Sequence, residues 1–274
     1  MENHKNNFAN NFQSDFKAKK SLGQNFLHAP QVISAMIHAG EISKENTVLE
    51  IGPGKGVLTT KLLETEVNII AIEKDDRAIL FLKDRFSKEI KNGKLKLIHR
   101  DILEFDETEL EKYIIIANIP YYITGEFMRK FLETENQPLR MVVMLQKEVA
   151  KRVVDKKESI LSISVKAYGN PRYLMTVSKK FFRPMPNVDS AVLVIDNISK
   201  KFFINSKINE KSFFEILKAG FAHKRKVLIR NLEEKIPKKT LEMIWRREGI
   251  SKNIRAVNVI LEMWKRIIGE NFLS

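Results

Sequence analysis

The chain contains no cysteine. Disulfides, thiolate zinc sites, cysteine-ligated iron–sulfur clusters and covalent thiol catalysis are excluded, so any chemistry must use nitrogen, oxygen or aromatic groups. Also missing is any apolar run near the roughly 18 residues needed to span a bilayer. The first twenty residues, MENHKNNFANNFQSDFKAKK, have no apolar stretch of the kind a secretory signal carries. A cytoplasmic protein with no membrane segment and no metal is expected, and a monomer. There is no internal repeat, heptad array or long low-complexity segment. With 274 residues and 43% hydrophobic content, the chain is long and apolar enough to bury a core.

Acidic residues are outnumbered, 34 against 48 basic, for a formal charge of +14. Residues 200–274 hold 18 basic and 8 acidic side chains, a net +10, which leaves +4 for residues 1–199. A lysine-rich solvated helix surface is one reading of that excess; a polyanionic partner is the other. In the run from Phe221 to Arg230, FAHKRKVLIR, helical spacing would set Lys226 and Arg230 on one face beside Lys224 and Arg225, with Phe221, Val227 and Leu228 facing a core. Such an edge suits a phosphate backbone. Trp245 and Trp264 sit in apolar helical stripes and read as core.

Residues 1–20 are rich in Asn and Lys and lack periodicity, which predicts a flexible arm. From Thr47 to Asn197, β-branched runs alternate with amphipathic stretches: TVLEIG, NIIAIEKD, KLKLIHRD, YIIIANIP, LRMVVMLQ, RYLMTVS and SAVLVIDN. Such alternation predicts a parallel α/β sheet, with the unbroken apolar runs YIIIA and MVVML as central strands. The last two strands, split by a proline-containing loop, need not be parallel. Beyond Asn197 the pattern turns helical: NEKSFFEILKAGFAH, KKTLEMIWRREG and AVNVILEMWKRII. The expected division is an arm (1–20), a Rossmann-like domain (21–199) and a small all-helical domain (200–274).

VLEIGPGKG, residues 48–56, is a strand followed by a glycine-rich turn and the predicted helix VLTTKLLE. The spacing is G-x-G-x-G over Gly52, Gly54 and Gly56. Val57 occupies the third glycine position of a dinucleotide fingerprint, and no phosphate-loop Lys-Ser/Thr pair follows. An adenosyl ligand without phosphates fits better. Glu73 ends the second strand, where a carboxylate can accept both ribose hydroxyls, and Asp101 ends the third, where one can accept an adenine amino group. Taken singly, such glycines serve turns and such acids cap helices. Converging on one sheet edge, Gly52, Gly54, Glu73 and Asp101 point to S-adenosylmethionine.

Asn118-Ile-Pro-Tyr121 ends the fourth strand at the same edge. Adenine N6 is a poor nucleophile because its lone pair is delocalised into the ring. Two acceptors, the Asn118 side-chain oxygen and the Ile119 carbonyl, would orient that lone pair toward the methyl group, while Pro120 fixes the turn and Tyr121 stacks on the base. The competing reading is a plain turn with a packed tyrosine. Phe182, just ahead of the stiff Pro184-Met-Pro186 segment, could cover the other face of a flipped base or simply plug the core.

The segments KSLGQNFL (20–27), VLEIGPGKG, NIPYYIT, FRPMPNVDS and FAHKRKVLIRNL occur in the order seen in the KsgA/RsmA ribosomal RNA adenine N6-dimethyltransferases, which the chain resembles from about Lys19 to Leu232. The resemblance implies a Rossmann-like class I S-adenosylmethionine-dependent methyltransferase domain with a helical C-terminal domain. It further implies dimethylation of two adjacent adenines near the 3′ end of 16S rRNA, in the immature 30S subunit. On the same basis Gln24, Asn25 and Leu27 are expected to touch the cofactor, together with Gly52, Glu73, Asp101 and Asn118. The family's commoner Asn-Leu-Pro-Tyr is Asn-Ile-Pro-Tyr here, a form also similar to the Erm-type 23S rRNA methyltransferases. The residues also admit a non-catalytic small-subunit assembly factor, or a methyltransferase acting on a protein glutamine amide, another planar nitrogen.

Overall fold

A computed structural model describes residues 16–108 and 110–269. Among the described residues nine strands form: β1 (Phe26–Leu27), β2 (Thr47–Ile51), β3 (Asn68–Glu73), β4 (Leu95–His99), β5 (Tyr113–Asn118), β6 (Arg140–Gln146), β7 (Asn170–Val177), β8 (Phe182–Arg183) and β9 (Ser190–Asp196). All seven expected strands are present, and they build one sheet in the order β4-β3-β2-β5-β6-β9-β7. β2 through β6 are mutually parallel. β9 runs against both of its neighbours, as the looser expectation for the last two strands allowed.

The burial of each strand follows its place in the sheet. β5 and β6 are buried on both faces except at their ends, whereas the edge strand β4 is partly open. Helices α1 (Pro30–Gly40), α2 (Val57–Leu63), α3 (Asp76–Arg85), α4 (Ser87–Lys91), α5 (Thr124–Glu133), α6 (Lys147–Val154) and α7 (Ile160–Tyr168) accompany the strands. Covering both faces is what lets such runs remain continuously apolar.

After β9 come α8 (Lys201–Ser206), α9 (Glu210–Phe221), α10 (Leu228–Leu232), α11 (Lys238–Arg247) and α12 (Leu261–Gly269). Phe203, Phe213, Leu217 and Trp264 belong to the same apolar cluster as Leu49, Ile115 and Phe131 of the sheet layer. Polar ties reinforce the join: Tyr168 Oη donates to Glu210 Oε1 at 2.5 Å, and Glu158 N donates to the Val257 carbonyl at 2.7 Å. Trp245 and Trp264 are buried, as their apolar stripes predicted.

Two helical expectations are corrected. Residues 222–227 form a loop, so Lys226 and Arg230 do not share a helical face. Ala222 to Lys226 are all exposed, leaving no apolar side to hold a helix turn. Asn231 Nδ2 instead donates to the carbonyls of Gly220, at 2.7 Å, and His223, at 3.2 Å, satisfying acceptors left at the end of α9. The stretch 256–268 is also divided, into a short 3-10 turn at Ala256–Asn258 and α12, because Val259 adopts extended backbone.

β1 and β8 form a separate antiparallel ribbon, Phe26 opposite Arg183 and Leu27 opposite Phe182. Most of the expected arm, residues 1–15, lies outside the described residues. Phe16 packs edge-on against Phe26 and Phe81, at 5.6 and 5.8 Å between ring centres. Among the described residues no helix is long and apolar enough to cross a membrane.

Candidate functional site

The carboxyl ends of β2, β3, β4 and β5 lie side by side. After β2 the chain builds β3 and β4 on one side and returns to place β5 on the other, so the loops diverge at the β2/β5 boundary and leave a crevice. An open cleft of about 860 Å³, its solvent-filled mouth included, occupies that crevice. Gln24, Asn25, Gly52, Gly54, Glu73, Asp101, Asn118, Ile119, Pro120 and Tyr121 line it.

The floor of the cleft is the glycine turn. Gly52 and Gly54 have φ of 65° and 56°, a region that glycine enters without penalty. At Gly52 an added Cβ would meet only the Asn118 carbonyl, at 3.9 Å, so backbone faces open space there. At Gly54 it would come within 2.8 Å of the Phe26 ring. Glu73 holds this turn: Oε2 accepts Gly54 N at 3.1 Å, and Oε1 accepts Lys74 N at 2.8 Å and Asp75 N at 2.9 Å. Three of roughly four acceptor sites on the carboxylate are thus used, leaving one, on Oε2, for a ribose hydroxyl. Burial raises the Glu73 pKa despite these donors.

Asp101 Oδ1 accepts Leu103 N at 3.0 Å, and Oδ2 receives the Lys74 ammonium at 2.5 Å. Gln24 is engaged at both ends of its amide, donating to Asp75 Oδ2 at 2.8 Å and accepting Lys19 N at 2.8 Å. Asp75, the N-cap of α3, is paired with Arg77, and that bond holds its pKa down at about 2. The segment before β1 is in this way fastened over one side of the cleft.

Asn118 Nδ2 donates to the Asn25 carbonyl at 3.3 Å, leaving Oδ1 as the end of the amide open to a donor. Ile119 buries its side chain in the core and can offer only backbone, as the sequence reading required. Tyr121 Oη lies 2.7 Å from Ser190 Oγ. Two residues are not in the cleft. Leu27 is buried and borders a neighbouring hollow. Phe182 is corrected from base cover to core: it is 1% exposed, opposite Leu27 in the ribbon and packed in the second apolar cluster.

The sequence reading missed Glu50. This β2 residue is 1% exposed, and neither carboxylate oxygen has a hydrogen bond of good geometry, Thr59 being its nearest donor. Burial pushes its pKa up to about 8 against the opposing pull of the Thr59 hydroxyl and N–H, with a smaller upward contribution from the Glu73 charge. It borders the hollow beside Gly52 and Asn118, and a charged residue inside the apolar run TVLEI was the available signal. Lys74, Arg100 and Tyr122 also line the cleft unforeseen. Lys224, Arg225, Lys226 and Arg230 are exposed, and Arg230 faces Glu233 at 3.4 Å.

The chemistry of the donor set decides what fits. Glu73, Asp101 and Asn118 present carboxylate and amide oxygens to the cleft, which suit a ligand rich in hydroxyl and amino donors and oppose a phosphate. A sheet of this order with β9 reversed, and an acceptor-rich cleft at its switch point, define a class I methyltransferase. The chain belongs to the ribosomal RNA adenine dimethylase family, whose model matches residues 15–271. It is 38% identical to ribosomal RNA small subunit methyltransferase A of Dehalococcoides mccartyi, over 92% of this chain and 87% of that protein. The crystal structure of a dimethyladenosine transferase from Plasmodium falciparum is similar with a TM-score of 0.76 and 26% identity, covering 88% of this chain and 95% of that one. The 23S rRNA methyltransferase ErmE shares the fold at a TM-score of 0.70 and 22% identity, over 90% of this chain and 99% of that one.

Proposed function

We propose that this protein transfers methyl groups from S-adenosylmethionine to N6 of two adjacent adenines near the 3′ end of 16S rRNA, two to each. Its substrate is the immature 30S subunit, and it acts in the cytoplasm as a monomer. The observation that carries the reading is the Asn118 turn, with its amide oxygen open, lining the same cleft as the glycine turn.

S-adenosylmethionine, when bound, supplies an electrophilic methyl on a positively charged sulfur. The chain contributes position and charge. Glu73 and Asp101 accept from ribose and adenine through their remaining lone pairs, while Gly52 admits the ligand close to backbone. In the first transfer Asn118 Oδ1 and the Ile119 carbonyl each accept one N–H of the target amine, which aims its lone pair and favours the positive charge that develops on nitrogen. As the N–C bond forms the S–C bond breaks, S-adenosylhomocysteine is left and one N–H proton passes to solvent, so in the second transfer the single remaining N–H engages one of the two acceptors. Tyr121 supplies a stacking face, steadied by Ser190. Phosphate contacts fall to the helical region 200–274, where the exposed loop Lys224-Arg-Lys226 and Arg230 stand clear of the core. The names of the bacterial relatives support the small subunit over the large one.

Transfer of labelled methyl to unmethylated small subunits, large subunits and free protein tests the reading. Label confined to small-subunit rRNA is expected. Label in large-subunit rRNA would establish the Erm-type activity, label in protein the glutamine reading, and subunit binding without transfer the assembly factor.

A further inference from the structure

The cleft holds a cation to which methyl transfer assigns no part. Lys74 follows Glu73 at the end of β3. Its N–H donates to Glu73 Oε1, and its side chain crosses to the end of β4 and pairs with Asp101 Oδ2 at 2.5 Å. One residue therefore touches both carboxylates assigned to the adenosyl ligand. Its backbone is pinned on the other side as well, where the Lys74 carbonyl lies 3.2 Å from His99 Nε2. Only the side chain is left free to move, and 55% of it is exposed against 21% for Asp101.

We propose that Lys74 is a specificity-determining residue of the cofactor cleft: its ammonium and the adenine amino group compete for the Asp101 carboxylate, so the ion pair opens when an adenosyl ligand seats. The inference rests on the assignment of the cleft to S-adenosylmethionine. By lone-pair count Asp101 could accept both donors, with the Leu103 N–H on one site of Oδ1 and the Lys74 ammonium on one site of Oδ2, so the competition is for approach to Oδ2 and for its charge. Burial pushes the Asp101 pKa up, yet the Lys74 contact and the Leu103 N–H together hold it below the ordinary value. An exposed ammonium–carboxylate pair gains little over its hydrated ions, so the swing into water is cheap and the competition is felt as a modest factor in affinity. A purine with a keto oxygen in place of the amino group reverses the preference: its oxygen repels Asp101 and accepts from Lys74.

Calorimetric titration of S-adenosylhomocysteine and S-inosylhomocysteine into the wild-type protein, Lys74→Met and Lys74→Arg tests this. For Lys74→Met we expect about threefold to fivefold tighter adenosyl binding at low salt, fading at about 0.5 M salt, where the pair is screened. Inosyl binding should weaken or stay level, and Lys74→Arg should behave as wild type. Adenosyl affinity that is unchanged or weaker in Lys74→Met, or equal shifts for both ligands, would overturn the inference while leaving the cofactor assignment standing. If no ligand binds the wild-type protein, the assignment falls and the inference with it.

Discussion

Tyr121 Oη and Ser190 Oγ, 2.7 Å apart, tie the turn that ends β5 to the first residue of β9 across the intervening β6. Ser190 is wholly buried, so this bond is its side chain's link to the acceptor turn. Tyr121→Phe keeps the ring and strands that hydroxyl. Thermal unfolding should show a loss of about 1–2 kcal/mol, with methyl transfer falling no more than a few-fold. Tyr121→Ala should lose transfer far beyond its loss of stability; equal activity in the two variants would remove the stacking role.

Asn118→Ala removes both the open amide oxygen and the bond to the Asn25 carbonyl. Methylation of small subunits should fall by about a hundredfold or more, in line with the loss of a preorganised polar group at a reacting centre. Subunit binding should survive, because the proposed phosphate contacts lie at Lys224, Arg225, Lys226 and Arg230. Single-turnover transfer and a pull-down on the same preparation measure both, and unchanged turnover would sink the acceptor assignment.

Glu50 makes stability depend on pH in a set direction. Its folded pKa of about 8 lies above the ordinary 4.5, so between those values the unfolded chain sheds the proton while the folded chain keeps it. The folded state then binds more protons and loses stability as pH rises through this window, at up to about 1.4 kcal/mol per unit. Glu50→Gln should cancel that slope. The difference in unfolding free energy between variant and wild type should grow from pH 5 to pH 8 and level off above; a flat difference would mean that Glu50 ionises freely.

Neutralising Lys224, Arg225 and Lys226 together should weaken RNA binding at all sequences alike. If each side chain neutralises one phosphate, the slope of log affinity against log salt should shrink by about 2–3. Filter binding over a range of salt concentrations measures it. A slope equal to wild type would free the loop of any phosphate role.

Alternating β-branched runs located all seven strands of the sheet because strand burial imposes its pattern directly on neighbouring residues. The same locality exposed the glycine turn, the strand-end acids and the Asn-Ile-Pro-Tyr turn, each a short contiguous motif. The helix expected over 221–230 failed for the converse reason. KRK leaves the helix where residues 222–226 are all exposed, and Asn231 then reaches back to the Gly220 and His223 carbonyls, a contact that no residue spacing reveals.

By itself, then, the sequence determined which residues could serve as acceptors and at which strand ends they stand, because chemistry and periodicity are properties of short segments. The tertiary structure alone decided how those acceptors are shared. It gave three of the Glu73 lone pairs to backbone, set Lys74 against Asp101, buried Glu50 without a well-formed hydrogen bond and turned Phe182 into the core opposite Leu27. Apart from the Lys74 and Asp75 N–H groups, which follow Glu73 directly, each of these depends on segments far apart in the chain being brought within hydrogen-bonding or packing distance. Only the closed fold supplies that proximity.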